Sequence, residues 1–273
     1  MGVVTQQSTL TALFHGESGV GKSDLADTIP GPRLILDAEG GSEYTPSWPK
    51  QTWNPNFPPP GMPGCEPHLQ QIAPTVRVIV QDWNTWQRVF YWLLQGQHPF
   101  VSVVLDSLTE IQKRCRDNIR GTEQMQLQHW GEMLIQMETV IRQLRDLAKS
   151  PYSPLMNVIL LALTDMSKDR GRPLVQGQLN IALPGFVDVV GYMSTQQRAD
   201  GLGLDRYMLV QPYGTYVAKD RTKVITQYLS QQGWIQIRDQ LQPELGGFTL
   251  HEFVQALETR YTQPQPQQLS GGN

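Results

Sequence analysis

Residues 16–23, Gly-Glu-Ser-Gly-Val-Gly-Lys-Ser, follow the spacing G-x-x-x-x-G-K-[ST] between a short apolar run and a helical stretch. Nucleotide phosphates need several donors converging at close range. Glycines remove Cβ obstruction and permit positive φ, so the main-chain N–H groups of Gly19, Val20, Gly21 and Lys22 can curl around a β-phosphate. Gly16, Glu17 and Ser18 complete the same loop, and a helix starting near Lys22 would add its positive dipole end. The Lys22 ammonium would bridge the β- and γ-phosphates, and the Ser23 hydroxyl would ligate Mg²⁺. That ion also wants a carboxylate at a strand end, and "VSVVLD" supplies Asp106. "LILDAEGG" ends another run with Asp37 and Glu39. Glu39 is the candidate base for an attacking water, and Asp37 has a plain alternative as a turn cap.

These groups can cooperate only if strands deliver them to one edge of a sheet. Short apolar runs at 10–15, 33–37, 76–81, 100–106 and 156–164 read as buried strands. Helical stripes lie between them, from Lys22 toward Pro30, then within 84–95, 109–120 and 127–148. Strands alternating with helices predict an α/β fold with a mostly parallel central sheet. Beyond residue 165 the pattern shortens. Residues 179–185 (LNIALPG) read as a strand, 192–198 and 205–211 as a hairpin joined by "ADGLGL", and 249–261 as a closing helix.

Residues 46–70 hold eight prolines, which excludes a regular helix or a central strand and predicts an excursion. Its Trp48, Trp53 and Phe57 either pin a flap to the body, the favoured reading, or stack on nucleobases. The chain of 273 residues, 39% hydrophobic with net charge −3, suits a packed α/β unit over 1–261 with a polar tail at 262–273. It is not a polycation, so nucleic-acid contact needs a local basic patch. Cys65 and Cys115 are too few for a disulfide framework, and no long apolar run exists, so a soluble cytoplasmic protein with no membrane partner is expected.

"GESGVGKS", "LILDAE", "VVLDS" and "VILLALTD" together resemble the core of RecA-like P-loop ATPases. The nearest resemblance is to small phage RecA-like nucleotide-binding proteins, some of them single-strand annealing proteins, which share the "D-x-E-G-G" turn and a late "A-K-D-R". It covers about residues 8–225 and implies ATP with Mg²⁺ as cofactors, Glu39 as catalytic carboxylate and Thr164 as the polar sensor. It also implies a trans-acting pair, Lys219 and Arg221, that reaches a neighbour's γ-phosphate. The loop 167–185, with Lys168, Arg170 and Arg172, would grip single-stranded DNA. The expected protein is an oligomeric, ring- or filament-forming ATPase of phage-type recombination or replication, in the host cytoplasm, with a single-strand-binding protein as a further partner. The alternatives are a helicase-like, packaging-accessory or KaiC-like regulatory ATPase, or a nucleotide-binding scaffold whose proline-rich flap recruits partners. The 46–70 excursion departs from the family pattern, as does the lack of an N-terminal oligomerisation domain.

Overall fold

Strand β1 (Thr11–Gly16) is buried along its whole length, and its side chains alternate between two separate cores. Leu13 enters one core, while Ala12 and Phe14 enter the other. That two-sided burial is what a central parallel strand requires. The computed structural model describes residues 9–47, 49–149, 155–167, 171–225, 229, 233–239 and 246–262.

In chain order the elements after β1 begin with α1 (Lys22–Ala26), β2 (Arg33–Asp37), β3 (Lys50–Trp53), β4 (Thr75–Ile79) and α2 (Trp83–Leu94). There follow β5 (Ser102–Asp106), α3 (Leu108–Arg120), α4 (Leu127–Lys149), β6 (Asn157–Asp165), β7 (Arg172–Pro173) and α5 (Leu179–Phe186). The last are β8 (Val189–Gln197), β9 (Leu204–Leu209), β10 (Lys219–Asp220), β11 (Trp234–Ile237) and α6 (Leu250–Thr262). The sheet runs β11-β9-β8-β1-β6-β5-β2-β4-β3, with β10 on β8 and β7 on β6. From β8 to β3 every neighbouring pair is parallel, while β9, β11, β10 and β7 join antiparallel.

Helices cover both faces. Leu93 of α2, Ile111 of α3, Met137 of α4 and Leu183 of α5 share a core with Leu13, Leu36, Leu105 and Leu160. On the other face Leu25 of α1 and Phe253 and Leu257 of α6 join Phe14, Ile35, Val104 and Leu161. This is the mostly parallel, helix-flanked α/β architecture expected, with the antiparallel hairpin β8–β9 after it. Since β1, β6, β5 and β2 are parallel neighbours, the segments after them meet at one edge of the sheet.

Two expectations change. Residues 179–185 are not a strand but most of α5, because Leu179 and Leu183, four apart, bury on one helical face. A short apolar run carries no period of its own, and packing against α4 decides its form. The proline-rich excursion contributes β3, an edge strand in parallel register with β4, where prolines are tolerated. Its Trp53, 3% exposed, meets Trp92 edge-on at 5.1 Å in the core, so this residue anchors the excursion and does not stack on a base. Phe57 is exposed, and Trp48 lies outside the described residues, as does the tail from 263. No helix among the described residues is long and apolar enough to cross a membrane.

Candidate functional site

The loop after β1 has the backbone its glycines foretell. Gly19 and Gly21 sit at φ 82° and 87°, a region that side chains with Cβ avoid. A Cβ on Gly21 would also stand 2.7 Å from Arg206 Nε, since that guanidinium lies against the loop and pairs with Asp24 at 2.9 Å. Val20 is buried and fastens the middle of the loop to the core, whereas Glu17 and Ser18 are exposed. Helix α1 is only five residues long, so the loop's own amides, more than a helix dipole, supply the positive field here.

The reactive side chains gather above this loop. Lys22 is buried, its Nζ donating to the carbonyls of Gly16 (3.1 Å) and Glu17 (2.7 Å). Burial lowers its pKa, while Glu39 and Asp106 pull it back up by their charge. Ser23 Oγ donates to Asp106 Oδ2 at 2.6 Å, so hydroxyl and carboxylate oxygens converge on one spot. Asp106 is 4% exposed, and burial with the nearby negative charge of Glu39 and Asp37 pushes its pKa up to about 6, against the Ser23 hydrogen bond. Register brings β2 and β5 together with Asp37 opposite Asp106. Asp37 itself is consumed structurally: it accepts from the amides of Glu39, Gly40 and Ser42 and from the Ser42 hydroxyl. That turn lifts Glu39 to the surface, where its Oε1 accepts a hydrogen bond from Ser107. Ser107 follows Asp106 and also caps α3, accepting from the Glu110 amide at 3.4 Å.

The donor set fits a magnesium nucleotide. Mg²⁺ favours a hydroxyl and one or two carboxylates with phosphate oxygens and water, and Ser23 with Asp106 offers that set. Lys22 and the amides of residues 19–22 would hold the phosphates, whose charge is what the loop's positive φ turns are shaped to meet. Thr164, at the end of β6 between β1 and β5, lies on the side of the sheet that carries His15 and accordingly meets it at 2.9 Å.

The remaining cations are elsewhere. Lys219 Nζ donates to the carbonyls of Pro184 and, at 2.6 Å, Val187, and Arg221 Nη2 reaches the Gly185 carbonyl at 3.4 Å. Lys219 pairs with Val190 of β8, three residues before the position level with Gly16, and the Arg221 amide donates to Asp188 just before β8. Both therefore sit toward the opposite end of the strands from their own chain's Lys22. Arg172 is on β7, paired with Asp165, while Lys168 and Arg170 lie outside the described residues. The face 113–120 is ion-paired surface, with Lys113 and Arg114 on Glu110 and Arg116 and Arg120 on Asp117.

His15 and Ser107 went unassigned in the sequence. The signal for His15 was present, an imidazole in an otherwise apolar strand one residue before the glycine loop.

Among solved structures, the chain is similar at 14% identity to an ATPase from the type III secretion system of pathogenic bacteria, covering 68% of this chain and 52% of that one with a TM-score of 0.41. It is similar, again at 14% identity, to a KaiC-like protein from the hyperthermophilic archaeon Pyrococcus horikoshii OT3, covering 73% and 77% with a TM-score of 0.39. The chain thus spans about half the length of the secretion-system ATPase. No curated protein matches it. A family described as an AAA domain matches residues 8–222, the stretch that contains the glycine loop, Glu39, Asp106 and Thr164, and the chain belongs to that family of P-loop ATPases.

Proposed function

We propose that the protein hydrolyses Mg·ATP in order to act on single-stranded DNA, in annealing or strand pairing, as an assembly of identical chains. The observation that carries the hydrolytic part is the linked set Lys22, Ser23, Asp106, Ser107 and Glu39 at one sheet edge. Lys22 and the loop amides hold the triphosphate, and Ser23 and Asp106 hold the ion that screens it. Glu39, exposed yet steered by Ser107, takes a proton from the attacking water.

Assembly is supported by the placement of Arg221, which is largely exposed, lies toward the far end of the strands from its own loop and so is available to a neighbour's. Lys219 beside it would have to leave the Pro184 and Val187 carbonyls to follow. A cation inserted there would neutralise charge that develops on the transferred phosphoryl group. DNA binding rests on the family resemblance and on the basic stretch 168–172, whose contacts would be to phosphates and thus indifferent to sequence. The test is the hydrolysis rate of purified protein with and without single-stranded DNA at low salt, together with particle size. DNA-stimulated turnover in a multi-chain particle is expected. Turnover that ignores DNA, with no DNA binding at low salt, overturns this reading in favour of a regulatory or motor ATPase.

A further inference from the structure

His15 is a fully buried imidazole with both ring nitrogens engaged, and nothing in the hydrolytic set uses it. Its Nε2 lies 2.8 Å from the carbonyl oxygen of Val217, its Nδ1 2.9 Å from Thr164 Oγ1. A carbonyl oxygen can only accept, so the ring proton must sit on Nε2. A neutral imidazole then has a lone pair at Nδ1, and the Thr164 hydroxyl must donate to it. Neutrality follows from the surroundings: burial and the nearby Lys22 charge drive the pKa down to about 4, against the pull of the Val217 carbonyl.

We infer that His15 is a positioning residue that fixes the direction of the Thr164 hydroxyl, leaving its oxygen to face the hydrolytic centre as an acceptor only. This rests on the reading of Thr164 as the polar group beside the γ-phosphate. Thr164 then cannot donate to a phosphate oxygen. It accepts a hydrogen bond from water, and so orients the nucleophile that Glu39 deprotonates.

His15 is itself held in place. The ring sits 5.5 Å from Tyr192, which stacks on Tyr216 at 4.1 Å, and the Val217 amide donates to the Gly171 carbonyl at 2.9 Å. Gly171 has no room for a side chain, because a Cβ there would stand 2.4 Å from the Tyr216 ring. The Leu174 amide donates to Leu163, next to Thr164, at 2.7 Å. Val217 begins the short stretch that ends at Lys219 and Arg221. The orientation of Thr164 is therefore tied, through one ring, to the segment that carries the cationic pair.

Two measurements that use no DNA test this, so their outcome is separable from the outcome for DNA-stimulated turnover. The first is nitrogen-15 NMR of the full-length protein, which reads the imidazole tautomer of His15 directly. The Nε2–H form is expected, and an Nδ1–H form or a charged ring at neutral pH overturns the inference. The second is a double-mutant cycle on basal Mg·ATP turnover with Thr164→Val and His15→Phe. Each single change is expected to lower kcat on the order of tenfold with KM unchanged, and the pair to fall little further, because both remove one interaction. Multiplicative losses, or losses confined to KM, sink it. Should His15→Phe not fold, His15→Gln supplies an N–H for Val217 and a carbonyl oxygen that can accept from Thr164. It is expected to restore thermal stability and most of kcat together, and a stable His15→Gln protein whose kcat stays as low as that of Thr164→Val counts against the inference.

Discussion

Ser107 donates a hydrogen bond to Glu39, joining the end of β5 to the turn after β2. The same peptide unit carries Asp106, so the candidate metal carboxylate and the candidate base are held by adjacent residues. Register makes this possible, since β2 and β5 pair with Asp37 directly opposite Asp106. The turn that Asp37 caps then sets how far Glu39 projects.

Glu39→Gln should retain Mg·ATP binding and lose turnover by about 10²–10⁴-fold, the usual contribution of a general base. Calorimetry and steady-state kinetics on one preparation check both halves. Lys22→Ala, by contrast, should lose binding and turnover together.

Asp106→Asn should abolish turnover and yet stabilise the ion-free protein at pH 8. Its folded-state pKa, about 6, stands above the ordinary carboxylate value of 3.8. A group shifted upward binds its proton more tightly when folded, so stability rises as pH falls through 6 toward 4 and is diminished above 6. Two pKa units correspond to about 3 kcal/mol, and an amide escapes that penalty. Thermal unfolding at pH 8 without magnesium should show a gain of several degrees, shrinking at pH 5.

Arg221→Ala should fold normally, because the side chain is largely exposed and makes only long contacts to Gly185 and Asp188. Turnover should fall about 10²-fold or more, as when a transition-state cation is withdrawn. Mixing this variant with Lys22→Ala, each inactive alone, should restore turnover, since one chain brings an intact loop and the other an intact cation. Failure to complement would confine the effect to a single chain.

Trp53→Ala should cost about 3–5 kcal/mol, a large aromatic removed from the core beside Trp92. Phe57→Ala, at a position 49% exposed, should leave the unfolding midpoint nearly unchanged. Chemical denaturation of both variants separates the anchor from the surface aromatic of one excursion.

What was legible in the sequence was local. The glycine loop spells its chemistry within eight residues, and the β-branched run before Asp106 announces a buried strand. Glu39 stands out because it follows a strand, whereas Thr164 is singled out only by the family resemblance, at the end of β6. His15 is conspicuous in its strand, but its role is not legible there because its partners lie 149 and 202 residues away along the chain. Helix α5 was misjudged for a related reason: seven residues do not fix a period, and only packing on α4 chooses it. The same holds for β3, whose register with β4 is a tertiary fact that its prolines conceal.

The two margins of the sheet have a consequence of their own. At one margin β3 is four residues long, begins with a lysine and is fenced by Pro49 and Pro55. At the other, the Gln236 carbonyl of β11 accepts from the Phe248 amide, and the Phe248 carbonyl accepts from the Arg238 amide just beyond the strand. Among the described residues, neither border offers a stranger's backbone a long free ladder to zip onto. Copies of this chain would therefore meet through loops and helices, guarded against runaway fibril growth.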